Sequence, residues 1–366
     1  MKAYSNARVF TGTSFLTHFT VLTEDGVITG LVAPESIPAG AEVIDLQQHI
    51  LAPAFVDIQI YGGNGSLFSN DLSVASLQAT YEHCLAGGTA QCYITLATSS
   101  MDVFYRGIDA VRAYRAKGGK GIPGLHLEGP YLNPLKKGAH LEQYIKKPTV
   151  QEVTELLNYG RDVIKIMTIA PEQCSEEVIA LLLKSGIMIS AGHSNATYEE
   201  GYAAFERGIP AATHLFNAMS PLQHRAPGLV GAIFNHPEVM SSIVPDGIHV
   251  DFAALRISKK IMQQRLFVIT DAVTATTEGD YPHVFKEDRY VLPNGTLSGS
   301  ALTMMQAVKN LVLHAGIEMG EALRMASLYP AQLMKQESKW GRIEKGHAAD
   351  LTVFDEAFNI VKVYTA

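Results

Sequence analysis

Apolar residues in this chain change their spacing twice. Up to about residue 50 they form short β-type runs, Ala7-Arg8-Val9-Phe10, Phe19-Thr20-Val21-Leu22 and Val27-Ile28-Thr29-Gly30-Leu31-Val32, with Glu24-Asp25-Gly26 as a hairpin signal before the last. Pro34, Pro38 and Gly40 close this part. From Ile50 onward, apolar blocks alternate with stretches of helical period. Strands are predicted at 54–60, 91–96, 125–128, 163–167, 187–193, 211–214, 242–246 and 266–271. Helices are predicted near 73–86, 101–116, 149–158, 175–185 and 197–207, then near 301–315 and 320–336. Asn195 or Thr197 caps the fifth of these. Eight strands separated mostly by helices is the order of a (β/α)8 barrel, an α/β fold. The period returns to strands at 346–354 and 360–364. These late strands and the early ones both need partners, and pairing the two chain ends into one small β-sandwich satisfies both. The expected organisation is a small β-domain from 1–50 plus 340–366 and a (β/α)8 barrel over 51–339.

Composition narrows the classes. At 366 residues, one barrel with a small appendage accounts for the length. A net charge of −7 argues against a broad nucleic-acid surface, though not against a local basic pocket for an anion. Cys84, Cys92 and Cys174 are an odd number without CxxC spacing, which suits buried thiols in a reducing compartment. Met1 to Phe10 lacks the apolar core of a signal peptide, and no run reaches the ~18 apolar residues of a membrane span. A soluble, cytoplasmic protein is expected.

Four predicted strands end on residues that carry chemistry. Leu125-His126-Leu127-Glu128 stops at Gly129-Pro130, Ile187 to Gly192 delivers His193, Ala211-Ala212-Thr213 delivers His214, and Leu266 to Thr270 delivers Asp271. A glutamate at a buried strand end is costly unless something positive meets it. Taken singly, each histidine reads as a hydrogen-bonded structural residue and the aspartate as a helix cap. Four together, at the barrel end where chemistry resides, point to a metal centre with an acid/base group. Glu128, His193 and His214 supply the three protein ligands of a catalytic zinc-type site, which leaves a position for water. Asp271 is the candidate base that takes the water proton and returns it to a leaving amine. Such a set hydrolyses amides. His126 lies on the same side of its strand as Glu128 and reads as a supporting or packing residue rather than a second ligand. His83, His236, His314 and His347 show no such pattern.

Longer motifs surround these residues. His126-Leu127-Glu128-Gly129-Pro130-Tyr131-Leu132-Asn133 is followed by Lys136-Lys137-Gly138-Ala139-His140. Further along come Ala191-Gly192-His193-Ser194-Asn195-Ala196, Thr213-His214-Leu215-Phe216-Asn217-Ala218-Met219 and Pro245-Asp246-Gly247-Ile248-His249. Thr270-Asp271-Ala272, Gly295 to Ser300 and the closing Gly341 to Leu351 continue the series. Together they resemble the N-acetylglucosamine-6-phosphate deacetylase family of the amidohydrolase superfamily, over nearly the whole chain. The resemblance implies hydrolysis of the acetamide of N-acetyl-D-glucosamine 6-phosphate to D-glucosamine 6-phosphate and acetate, in amino-sugar catabolism. It implies Glu128, His193 and His214 as metal ligands, Asp271 as general base and acid, and His140 as the group that polarises the acetyl carbonyl. It further implies sugar or phosphate contacts from His249, Asn217 and Ala218. Arg225 matches the arginine that, in the family, reaches the phosphate held by the neighbouring subunit, so a homodimer or a dimer of dimers is expected. The implied cofactor is one divalent ion per subunit, zinc first, with Fe2+, Mn2+ or Co2+ as alternatives.

One departure stands out. Most of the superfamily has His-x-His after the first strand, whereas here the positions read Gln59-Ile60-Tyr61. Some of the deacetylases have Gln followed by Asn there and are thought to use one metal; Tyr61 fits neither pattern. Neither Gln59 nor Tyr61 is a good zinc ligand, so a single ion is expected, with a sugar pocket altered at Tyr61. The alternatives are a related enzyme for another N-acetyl sugar phosphate, such as N-acetylgalactosamine 6-phosphate, or for a cyclic amide; the presence of His249 and Arg225 weighs against them. A catalytically dead scaffold is a third reading, and the full set of ligands and base weighs against it.

Overall fold

The computed structural model describes residues 1–366. Its central element is an eight-stranded parallel sheet. The strands are β1 (Phe55–Ile60), β2 (Thr89–Ala97), β3 (Leu125–Glu128), β4 (Ile164–Ile169), β5 (Met188–Ala191), β6 (Ala211–Ala212), β7 (Met240–Ile243) and β8 (Leu266–Val268), adjacent in chain order. Their near-continuous burial is what parallel strands show when both faces are covered; all six residues of β1 are buried. The ring closes where β8 returns to β1. Asp271 N–H donates to Gln59 O at 3.0 Å, and Tyr61 N–H donates to Ala272 O at 2.9 Å.

Helices alternate with the strands: α1 (Val74–Ala86), α2 (Met101–Ala116), α3 (Val150–Gly160), α4 (Glu176–Lys184), α5 (Tyr198–Glu206), α6 (Gly228–Asn235), α7 (Phe252–Met262) and α8 (Met304–Leu313). In α3, Val153, Leu156, Leu157 and Gly160 recur every three or four residues and form its buried stripe. Of the two caps expected for α5, Thr197 serves, and it forms a reciprocal capping box with Glu200. Thr197→Ala should therefore cost about 1 kcal/mol in urea unfolding.

Three features depart from the sequence reading. Helices α6 and α7 occupy stretches for which no helix was expected. The single helix expected at 320–336 is two, α9 (Met319–Ala326) and α10 (Leu328–Leu333), broken at Ser327. Pro330 explains the break, since a proline removes a helical N–H and clashes with the carbonyl four residues back. After β8 the chain makes an excursion containing an unforeseen hairpin, Val284–Lys286 against Arg289–Val291.

The chain divides into two compact units, one of Met1–Asp57, Cys84–Gln91 and Thr303–Ala366, the other of Ile58–His83 and Cys92–Leu302. The first takes in more chain than the two ends expected for a β-domain. Within it the ends do pair: Ile50–Pro53 runs antiparallel to Leu351–Phe354 and parallel to Arg8–Phe10 in a five-stranded sheet. A four-stranded sheet is built from the N-terminal part alone, and Val21, Ile28, Leu51 and Leu351 lie in one apolar core. The second unit holds every side chain of the site described below. Cys84 and Cys92 are buried, Cys174 is half-buried, and none of the three is in a disulfide. No helix is long and apolar enough to cross a membrane.

Candidate active site

Glu128 is the last residue of β3, and His193, His214 and Asp271 follow β5, β6 and β8 by two or three residues. After the last strand residue the chain turns so that His193, His214 and Asp271 adopt φ of +47°, +38° and +54°. That left-handed region is one that side-chain-bearing residues enter only when the surroundings hold them there. The holding contacts are specific. Asn133 N–H donates to His193 O at 2.9 Å, and Ser242 Oγ accepts from His214 N–H at 2.7 Å. Ser300 N–H donates to Asp271 O at 2.8 Å. Glu172 braces the turn after β5, its carboxylate accepting from Asn195 N, Ser194 Oγ and Asn133 Nδ2 at 2.7–2.9 Å.

Three buried atoms then converge. His214 Nε2 lies 3.0 Å from Glu128 Oε1 and 3.1 Å from His193 Nε2, and His193 Nε2 lies 3.3 Å from the same oxygen. Tetrahedral bonds of about 2.0–2.1 Å set ligand-to-ligand edges of about 3.3–3.4 Å, close to this triangle. His193 Nδ1 donates to Lys136 O at 2.9 Å, which leaves the Nε2 lone pair free for an ion. Burial, together with the neighbouring His140 ring, lowers the His193 pKa to about 4, so its imidazole is neutral. Burial works against ionisation of Glu128, but the surrounding imidazoles, His140 and His193 foremost, hold its carboxyl well below the usual range. Side-chain donor atoms of Glu128, His140 and His193 also lie within 4.8 Å of one another. A carboxylate beside two imidazole Nε2 atoms, with the His193 ring neutral, suits a divalent metal ion.

His140 differs from the other two histidines. Thr98 N–H donates to its Nδ1 at 3.2 Å, so the ring proton of a neutral His140 sits on Nε2, which faces Glu128 Oε2 at 3.1 Å. It is arranged as a donor rather than a ligand. Gln59, at the end of β1, is also a donor. Its Nε2 reaches Asp271 Oδ1 at 2.8 Å, Glu128 Oε1 at 3.0 Å and Tyr61 Oη at 3.2 Å. Tyr61 donates its phenolic proton to Glu128 Oε2. Burial first, then the carboxylates of Glu128 and Asp271, keeps that phenol protonated. The same two influences raise Asp271 above the ordinary carboxyl value: burial first, and the charge of Glu128 behind it. His126 sits behind this group, bonded to Ile58 O at 3.0 Å and Thr168 Oγ1 at 2.8 Å, in the supporting role expected of it.

These residues floor a concave pocket with both polar and apolar walls, the form that small-molecule sites take. Asn217, Ala218 and His249 line it. His249 is aimed by Asp246, whose carboxylate accepts from its Nδ1 at 2.5 Å and its backbone N–H at 2.7 Å. Arg225 is not brought in: it is exposed in the loop before α6 and does not line the pocket. Several lining residues carried no assignment from sequence, among them Ala139, Tyr281, His283 and Leu297-Ser298-Gly299. The last three lie in a motif already noted, so position along the chain pointed near them. Asp246 and Glu172 had only weak signals, because each acts through contacts that spacing does not reveal.

Comparison with known proteins agrees with this geometry. Residues 50–366 match the model of the amidohydrolase family, and residues 1–51 match that of the NagA composite domain. N-acetylglucosamine-6-phosphate deacetylase of Haemophilus influenzae is 35% identical over 371 residues, covering 98% of this chain and 96% of that protein. The crystal structure of N-acetylglucosamine-6-phosphate deacetylase from Pasteurella multocida superposes with a TM-score of 0.95 at 35% identity, covering 100% of this chain and 98% of that one. N-acetylgalactosamine-6-phosphate deacetylase of a Shewanella species is 31% identical over 371 residues, covering 98% of this chain and 93% of that protein. The chain belongs to the amidohydrolase family, alongside the N-acetylglucosamine-6-phosphate deacetylases.

Proposed function

We propose that this protein hydrolyses the acetamide of N-acetyl-D-glucosamine 6-phosphate to D-glucosamine 6-phosphate and acetate, a step of amino-sugar catabolism. The observation that carries the reading is the convergence of Glu128, His193 and His214 on one point, with Asp271 and a proton-bearing His140 beside it. Glu128, His193 and His214 are the ligands of one divalent ion per subunit, zinc in first place with Fe2+, Mn2+ or Co2+ as substitutes. Such an ion supplies Lewis acidity toward a carbonyl oxygen and toward water. The Gln59 amide supports the single-ion reading, since an NH2 group spans the two carboxylates that a second cation would otherwise neutralise.

Within that frame the chain's own groups divide the work. Asp271 takes the proton of the attacking water and returns it to the departing amine. Its raised pKa suits a group that must hold a proton between the two steps. His140 donates Nε2–H to the oxygen on which charge develops. His249, with Asn217 and Ala218, holds the sugar and its phosphate, and Asp246 keeps the His249 Nδ1 proton in place so that Nε2 faces the ligand. Asp246→Asn should raise KM for the phosphosugar by about tenfold while changing kcat little. Arg225, exposed and outside its own pocket, is read as reaching the phosphate in a neighbouring subunit through a bidentate guanidinium contact. A homodimer or dimer of dimers follows from that reading, working in the cytoplasm. Residues 51–339 form the catalytic barrel in this scheme, and 1–50 with 340–366 its β-domain.

Similarity to the Shewanella N-acetylgalactosamine-6-phosphate deacetylase and the unusual Tyr61 favour one second reading, the galacto epimer as substrate. The deciding experiment follows acetate release by metal-quantified protein from N-acetylglucosamine 6-phosphate, N-acetylgalactosamine 6-phosphate and unphosphorylated N-acetylglucosamine. Fast release from the first alone, with about one ion per chain, is expected. Preference for the second would transfer the assignment to the epimer. Equal rates with and without phosphate would remove phosphate recognition from the proposal.

A further inference from the structure

The two oxygens of Glu128 have different neighbours. Oε1 faces the two imidazole Nε2 atoms at 3.0 and 3.3 Å and the Gln59 amide at 3.0 Å. Oε2 faces Tyr61 Oη and His140 Nε2, the latter at 3.1 Å. Tyr61 itself is tightly placed. Its backbone bonds to Ala272 O and from Phe68 N at 2.9 and 3.0 Å, and its ring packs against the cluster of Leu67, Ala97, Val273 and Tyr281. The phenolic oxygen lies 3.2 Å from Gln59 Nε2, whose hydrogens serve the Asp271 and Glu128 carboxylates at shorter range and which has no lone pair to accept, so the hydroxyl hydrogen is directed toward Glu128.

We propose that Tyr61 is a positioning residue for the metal centre: its phenol occupies Glu128 Oε2 and so confines the carboxylate to ligation through Oε1. The inference rests on the ligand set proposed above and extends it to Tyr61, which sequence pattern and pocket lining place beside the sugar but to which neither gave a role at the metal. A carboxylate free at both oxygens can swing to bind an ion through both, which would change its geometry and fill the position kept for water. A phenol on a packed ring is a rigid donor that prevents this, where a flexible donor would follow the carboxylate. Partners that hold a ligand in place are commonly worth 10–100-fold in metal affinity.

Tyr61→Phe keeps the ring and removes the donor. Loaded with Co2+ or Zn2+ and titrated with a competing chelator, it should hold the ion at least about tenfold more weakly than the wild type. The visible spectrum of the Co2+ form should shift as Glu128 turns to bind through both oxygens, while the melting temperature of the metal-free protein stays near that of the wild type. Wild-type affinity together with an unchanged Co2+ spectrum would overturn the proposal. Should Tyr61→Phe fail to fold, a crystal structure of the metal-loaded wild type decides: Glu128 bound through Oε1 alone, with Tyr61 on Oε2, upholds the role, and two-oxygen binding removes it. None of these measurements involves a sugar, so failure of the deacetylase reading would show separately, as metal bound normally without acetate release.

Discussion

Asp271→Asn is expected to lower kcat by about 10²- to 10⁴-fold, the usual contribution of a positioned general acid–base, while metal content and folding are retained. The geometry explains why these effects separate. Asp271 is not part of the Glu128–His193–His214 triangle, and its carboxylate accepts from the Gln59 amide, Nε2 to Oδ1 at 2.8 Å. The asparagine amide oxygen can accept the same bond. It also removes a buried carboxyl that sits beside the charge of Glu128 and is raised by burial, so stability should hold or improve. Steady-state rates of acetate release, read beside metal analysis and a thermal melt, test all three parts. Activity within twofold of the wild type would mean that another group moves the proton.

Glu128→Gln should have the opposite profile, with activity lost because the ion is lost. The change is isosteric, yet it replaces the only anion of the triangle by a neutral amide whose NH2 would meet imidazole nitrogens or the Gln59 and Tyr61 donors. Metal binding is expected to weaken by more than about 100-fold, beyond the range seen when only a supporting contact is removed. Acetate release should fall to background at micromolar metal. Chelator treatment of the wild type should reproduce that loss, and re-addition of Zn2+ should reverse it. If Glu128→Gln kept a full complement of tightly held ion, the ligand set would have to be redrawn around His140, whose Nε2 also faces this carboxylate.

The barrel was legible because its strands are buried on both faces and read as continuous apolar blocks, and because Glu128, His193, His214 and Asp271 interrupt those blocks at one end. Strand lengths were less so. Only Ala211–Ala212 of the block ending at His214 is paired as strand, since the chain leaves the ladder to turn the histidine inward. Helix α6 escaped because Gly228 to Ile233 is buried all round, and a helix without a polar face has no amphipathic signature. Helix α7 does carry one, with Leu255, Ser258 and Met262 buried behind an Asp251 cap. In the site, the residues proposed to carry the chemistry stand out in the sequence by type and place. Those that orient them did not: Gln59, Asp246, Thr98 and Glu172 act across distances of 3 to 212 positions in sequence, and neither periodicity nor motif encodes which polar atoms will meet.

The left-handed backbone at His193, His214 and Asp271 bears on the history of the chain. At such angles glycine or asparagine is the relaxed choice, and a lineage released from chemical duty would be free to drift toward them, gaining stability with each replacement. This chain instead bears two imidazoles and a carboxylate at all three positions. Folding alone gives no reason to prefer them to glycine, so at these turns the backbone carries its strain for the sake of the side chains.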